Sequence, residues 1–296
     1  MWVVATVLVV APVSLAAFRF VQEYTAPPYD PKAMPLFREV IGSGERKVVM
    51  IHGLTGSSQF WRSRLDGFSK SHKILLVDLL GFGASPKPNA EYSLATHTSA
   101  VVRAMKDEGF YDSSTTIVGH SLGAIIAASI LASESTEHFR AVLMSLPLYK
   151  DKQDAESHLS SVSAMHKGMI ENSPLLRVSC YFMDVFRLPI FLFFSKVPFD
   201  VHWDVFSHSW SSLSRTLRAA IVEVNIPDLL ERASRTHKII LLHNSDDEIA
   251  PEQNVSEFVE GHPSVKLMLM GSGGHNGFLR TPSAYTQKIE EFEINQ

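Results

Sequence analysis

Six short apolar runs punctuate the chain after residue 36, and longer stretches with helical spacing lie between them. The runs are KVVMIHG (47–53), KILLVD (73–78), TTIVG (115–119), AVLMS (141–145), KIILLH (238–243) and VKLMLM (265–270). Each is apolar at consecutive positions, so both of its faces are suited to burial, as in a parallel sheet covered by helices on either side. Helical patterns fall at 95–108, 122–133, 252–260 and 283–293. This alternation predicts a doubly wound, mostly parallel α/β sheet with right-handed crossovers. The rhythm breaks once: about ninety residues separate Ser145 from Lys238, more than a simple connection needs.

The start of the chain follows another pattern. WVVATVLVVAPVSLAAF (2–18) carries no charge, and as a helix it would extend roughly 26 Å, the short end of a bilayer crossing. Residues 1–20 are therefore expected to be a membrane-targeting segment. A cleaved signal should begin with basic residues, which are missing, so a retained anchor is favoured, although Ser14 and Ala16 would suit cleavage and secretion. Arg19, Lys32 and Arg38 follow the segment, and the positive-inside tendency would then keep the remaining domain cytoplasmic. Pro27, Pro28, Pro31 and Pro35 make residues 21–35 read as an extended stalk.

Composition narrows the function classes. Of 296 residues, 45% are hydrophobic and 20% charged, which is ordinary globular usage. A net charge of -4 with no clustered basic face argues against a nucleic-acid partner. The lone cysteine, Cys180, closes no intrachain disulfide and has no second thiol beside it for a zinc site.

Candidate chemistry collects where the predicted strands end, as open α/β sheets require. GHSLG (119–123) fits the G-x-S-x-G nucleophile elbow, with a strand before it and a helix after it. Gly119 and Gly123 would permit the close approach of strand and helix, and the turn would lift the Ser121 hydroxyl above the sheet edge. A serine needs a base, and the base needs an orienting group. GSGGHNGF (271–278) follows the last strand and offers His275; His243, at the end of its own strand, is the second candidate. The adjoining His120 would leave the strand on the opposite face from Ser121, so it reads as a packing residue or a support for the site. The acid should lie between Ser121 and His275, where HNSDDEIAP (243–251) supplies Asp246, Asp247 and Glu248. These three lack the alternating spacing of a calcium loop, and no metal is expected.

With these motifs in place, residues 36–293 resemble the α/β-hydrolase superfamily, of the lipase and esterase-like kind with a lid. The resemblance implies an α/β-hydrolase core at 36–148 and 236–296, with a helical cap at 149–235. Its G-x-x-D-x-x-x-P pattern selects Asp247, four residues before Pro251, with Asn244 standing where glycine is usual. It makes HGLTGSSQFW (52–61) the loop supplying half of an oxyanion hole, so that the donors would be the backbone N–H groups of Leu54 and Leu122. DLLGFGASPKP (78–88) resembles the family's D-x-x-G-x-G-x-S turn, with Asp78, Gly81, Gly83 and Ser85 in register, and its spacing fits no nucleotide loop.

The expected activity is that of a serine hydrolase cleaving a carboxylic ester through an acyl-enzyme, without a cofactor. A cap rich in phenylalanine reads either as a self-packed helical core or as an apolar substrate wall for an acyl or aromatic group, with Phe182, Phe186, Phe191 and Phe194 as substrate-binding candidates beside Phe193. With the anchor, a small-molecule or lipid-like ester is the expected substrate. Thioester cleavage, acyl transfer and carbon–carbon bond hydrolysis would use the same triad, and a non-catalytic binding module would keep the same pocket.

Overall fold

The computed structural model describes residues 2–133, 138–183, 190–192 and 197–294, with side chains described from residue 13 onward. Seven strands form one sheet: β1 (Arg38–Ile41), β2 (Arg46–Ile51), β3 (His72–Val77), β4 (Thr115–His120), β5 (Arg140–Met144), β6 (Lys238–His243) and β7 (Val265–Leu269). Their order across the sheet is β1-β3-β2-β4-β5-β6-β7, with β1 antiparallel to β3 and every other pairing parallel. Six strands coincide with the apolar runs. The four residues of β1, Arg-Glu-Val-Ile, are only half-buried at an edge and carry no such run.

Strand periodicity divides the core into two layers. Val49, Ile51, Leu75, Val77, Ile117 and Leu143 point to one face and pack beneath the helices Leu94–Asp107 and Leu122–Ala132. Their neighbours Val48, Met50, Ile74, Leu76, Val118 and Val142 point to the other, against Trp61, Phe278 and the helix Pro282–Ile294. Period-two alternation with both faces covered is why these strands read as unbroken apolar runs.

Between β5 and β6 the chain forms a helical layer over the carboxyl ends of the strands. It includes Lys152–Val162, Ala164–Ile170, Pro174–Met183, Phe199–Val205 and Trp210–Thr216, the last continuing into a π-helical turn at Leu217–Val222. Side-chain bonds tie this layer to the core. Ser57 Oγ donates to Asp204 at 2.6 Å, Arg64 pairs through two nitrogens with Asp200, and His97 Nε2 meets Thr216 Oγ1 at 3.1 Å.

The amino-terminal segment corrects the sequence expectation. Among the described residues no helix is long and apolar enough to cross a membrane. The charge-free run is instead one end of a helix, Trp2–Tyr24, whose other end bears Arg19, Gln22 and Glu23. That end docks onto the cap: Ala16 is buried, and the Phe20 ring lies edge-on to Tyr181. Glu23 accepts the N–H groups of Trp210 and Ser211, the Ser211 hydroxyl and the Tyr181 hydroxyl. The transmembrane anchor, the membrane as a partner and the localisation drawn from them are all overturned. Hydropathy along a run does not register a carboxylate whose donors lie far away in the chain.

Residues 26–36 run along the core. Pro28 bridges Asn89, Tyr29 N–H donates to Asn89 O, and Leu36 is buried.

Candidate active site

The end of β4 turns into the helix Leu122–Ala132 through Ser121, which adopts φ 54° and ψ -118°. A non-glycine residue there is strained, and the surrounding contacts must impose it. Two glycines make the turn possible. A Cβ on Gly119 would stand 2.2 Å from Gly123 O, and one on Gly123 would stand 2.2 Å from Ile51 O. The corner is pinned by Ser121 N–H donating to Met144 O at 2.9 Å.

The three side chains expected to act together meet there. Ser121 Oγ lies 2.9 Å from His275 Nε2, and His275 Nδ1 lies 3.0 Å from both carboxylate oxygens of Asp247. An ionised carboxylate only accepts, so Nδ1 carries the proton and Nε2 presents its lone pair to the serine hydroxyl. Asp247 is buried, which pushes its carboxyl up; the hydrogen bond and charge of His275, with the Ala250 N–H, outweigh burial and hold it below the usual carboxylate range.

The neighbouring acids divide the work. Asp246 Oδ1 accepts the N–H groups of Gly273 and Gly274 at 2.8 Å each, and so shapes the loop that carries His275. Those backbone bonds hold its carboxyl below the ordinary value. Asn244 uses its place too: its amide donates to Gly274 O and bonds the Tyr285 hydroxyl, both at 2.8 Å. His243, the second candidate base, is buried behind Asp247 with Nε2 donating to Ala250 O, away from the serine.

Both proposed oxyanion amides sit at this corner. Leu122 opens its helix, where an N–H has no intrahelical acceptor. Leu54 follows Gly53, whose Cβ would lie 3.1 Å from Ser121 Cβ. His52 supports that loop by accepting Leu79 N–H at Nε2 and donating from Nδ1 to Gly53 O. Asp78, in the D-x-x-G-x-G-x-S turn, accepts Ser58 N–H and Ala84 N–H.

A cavity of about 200 Å³ opens over Ser121 and His275, with Leu159, Met169, Val201, Leu217 and Ile221 among its walls. Neither Phe182 nor Phe191 is among its described lining residues. Phe182 faces a groove beside the amino-terminal helix, and Phe191 packs on Phe199 and His202. Phe186, Phe193 and Phe194 lie outside the described residues.

Of two further histidines at this site, the sequence marks His120 as a packing or supporting residue and misses His166. His120 does leave β4 on the other face, yet its Nε2 donates to His275 O at 2.8 Å. Its Nδ1 has no partner among the described residues, and burial, followed by the charge of His275, lowers its pKa to about 3. It is therefore a neutral prop beneath the base. His166 enters from the cap and lines the cavity, its pKa lowered by burial and then by His275. Cap placement is tertiary, and no motif marks it.

Residues 48–287 match the alpha/beta hydrolase family, and the chain belongs to that family. Over 268 residues it is 23% identical to the probable lysophospholipase BODYGUARD 4 of Arabidopsis thaliana, a match covering 82% of this chain and 63% of that protein. The other curated relatives of that group are matched over a quarter or so of their length, as with BODYGUARD 3 at 22%. Among solved structures, an esterase from Exiguobacterium antarcticum superposes with a TM-score of 0.67 at 18% identity, covering 88% of this chain and 95% of that one. A hydrolase from Oleispira antarctica gives 0.70 at 16% identity, covering 92% and 100%. At those identities the superpositions speak for the fold.

Proposed function

We propose that this protein hydrolyses carboxylic esters with an apolar group beside the carbonyl, through an acyl-enzyme on Ser121. The observation that carries the reading is the unbroken chain Asp247–His275–Ser121, with contacts of 3.0 and 2.9 Å, opening into an apolar cavity. The relative named a probable lysophospholipase and the neighbour titled an esterase support ester chemistry.

In the proposed reaction His275 Nε2 removes the hydroxyl proton as Ser121 Oγ attacks the carbonyl carbon. The developing oxyanion is held by the N–H groups of Leu54 and Leu122, each contributing about 3 kcal/mol of barrier lowering. His275 returns the proton to the leaving alcohol, then activates a water that releases the acid. Asp247 fixes the imidazole tautomer and stabilises the imidazolium. Carrying Ser121 on a strained turn places its oxygen at the amino end of a helix, where negative charge is favoured.

A fluorophosphonate probe tests this directly. Labelling of the native chain and none of Ser121→Ala is the expected result, with turnover of p-nitrophenyl esters lost in parallel. Equal labelling of both proteins would refute the assignment, and labelling without turnover of any ester would favour a binding role. Within a series of p-nitrophenyl esters, a preference for longer acyl groups supports the apolar reading, and strict preference for acetate opposes it.

A further inference from the structure

We propose that the amino-terminal helix walls a second chamber, which takes the larger apolar part of an ester whose carbonyl is presented to Ser121. The proposal rests on the ester-hydrolase reading and adds a binding site to it. A cavity of about 490 Å³ lies between the end of that helix, the cap and the loop at Ser85. It abuts the cavity over Ser121 along a partition of three residues common to both linings: Thr55 from the core, and Met165 and Val205 from the cap.

Size assigns the two spaces different occupants. Pockets that enclose a drug-sized molecule measure roughly 300–1,000 Å³. The 200 Å³ space at the serine is below that range and the outer chamber, at 490 Å³, is inside it. An ester with its carbonyl at Ser121 therefore seats one short group within, and any longer group passes Met165 into the outer chamber.

The chamber's chemistry selects an apolar group. Its charged side chains already have partners: Glu23 meets four donors from the cap, Lys87 donates to Gly83 O and Ser85 O, and Arg19 is also engaged. The rest of the lining is mixed: Cys180, Phe206, Trp210 and Leu213 supply apolar surface beside polar residues such as Gln22 and Ser209. The thiol is neutral, pushed up by burial to about 11. Residues 19–27, which form this wall, lie outside the segment that matches the family, 48–287. The ligand class is an ester with an extended alkyl, acyl or aromatic group.

Three esters separate the arms of the test: p-nitrophenyl acetate, p-nitrophenyl dodecanoate with a long acyl group, and dodecyl acetate with a long alcohol. Cys180→Phe, which reduces the chamber, is expected to lower kcat/KM for a long ester about tenfold more than for p-nitrophenyl acetate. Which long ester suffers tells whether acyl or alcohol enters. An equal loss on all three, or none on either long ester, overturns the chamber while leaving ester hydrolysis standing. Binding gives a readout that needs no turnover. In a Ser121→Ala background, a dodecyl ester brominated at its far end should quench tryptophan fluorescence, and Trp210→Phe should remove most of that quenching. No quenching, or quenching undiminished by Trp210→Phe, overturns the proposal.

Discussion

The Ser121 corner and the helical wall facing it are held together by different means. At the corner each working side chain is fixed by backbone groups of its neighbours. Asp246 holds two loop amides, Asp247 takes the N–H groups of Ile249 and Ala250 as well as the imidazole, and His120 supports the His275 carbonyl. The wall is made of helices that pack on the core through apolar side chains such as Leu159, Leu213, Leu217 and Ile221, with added side-chain bonds such as Ser57 to Asp204 and Ser212 Oγ to Gly81 O. On the proposed function, the corner holds the reacting atoms in place, and a change in the wall would alter the choice of substrate more than it moves those atoms. Damage to the first should therefore appear in kcat, and damage to the second in the choice among esters.

The largest effect falls within the corner and separates two adjacent residues. Asp247→Asn leaves a side chain that can offer the imidazole the wrong tautomer partner, and kcat is expected to fall by about 10⁴-fold, as in other serine triads. Asp246→Asn still presents a carbonyl oxygen to Gly273 and Gly274, so its loss should stay within roughly tenfold. Measured kcat values that are equal for the two variants would mean that the orienting acid is not Asp247.

Much of the corner was legible because its chemistry is local in sequence. Gly119, Ser121 and Gly123 lie within one turn, and each remaining member of the proposed triad sits just past the end of an apolar run that is also a strand. Choosing Asp247 from three adjacent acids needed the family's spacing, since a carboxylate at 246 or 247 satisfies the same local composition. Asn244, which departs from that spacing, accounts for itself by bonding Gly274 O and Tyr285 across the loop. The wall was not legible for a physical reason. The ends of the amino-terminal helix, the place of His166 and the partition at Met165 depend on contacts between segments more than a hundred residues apart in the chain. A charge-free run looks alike whether it faces lipid or continues into a helix docked by Glu23.

A smaller effect tests the joint between the two regions. His97 is wholly buried with Nε2 on Thr216 of the cap, and burial, then the charge of His52, lowers its pKa to about 3 from the ordinary 6.5. Between those values the unfolded chain binds a proton that the folded chain refuses, so its contribution is complete above pH 6.5 and is lost as pH falls towards 3. From pH 7 to pH 5 the loss is about 2 kcal/mol, at 1.36 kcal/mol per unit over the interval below 6.5. His97→Gln removes this contribution, so urea unfolding free energies at the two pH values should differ less than in the native chain by that amount. His52, His120, His166, His237 and His243, whose pKa values are also lowered by burial, contribute to the remaining slope. An unchanged slope in His97→Gln would show that this ring is not the neutral tie described.

The smallest effect probes the wall alone. Asp204 receives the Ser57 hydroxyl at 2.6 Å and joins the cap helix Phe199–Val205 to the loop that carries Leu54. Asp204→Asn weakens that charge-assisted bond by about 1 kcal/mol, since the amide oxygen still accepts. Because the same helix contributes Val201 and Val205 to the cavity over Ser121, loosening it should alter how a bulky acyl group is seated. The expected result is roughly a fivefold loss of kcat/KM for p-nitrophenyl dodecanoate, the factor that 1 kcal/mol represents, with fluorophosphonate labelling of Ser121 slowed by less. A variant in which labelling slows as much as long-ester turnover would mean that the cap helix helps to set the reacting geometry, and the division between corner and wall would have to be redrawn at Ser57.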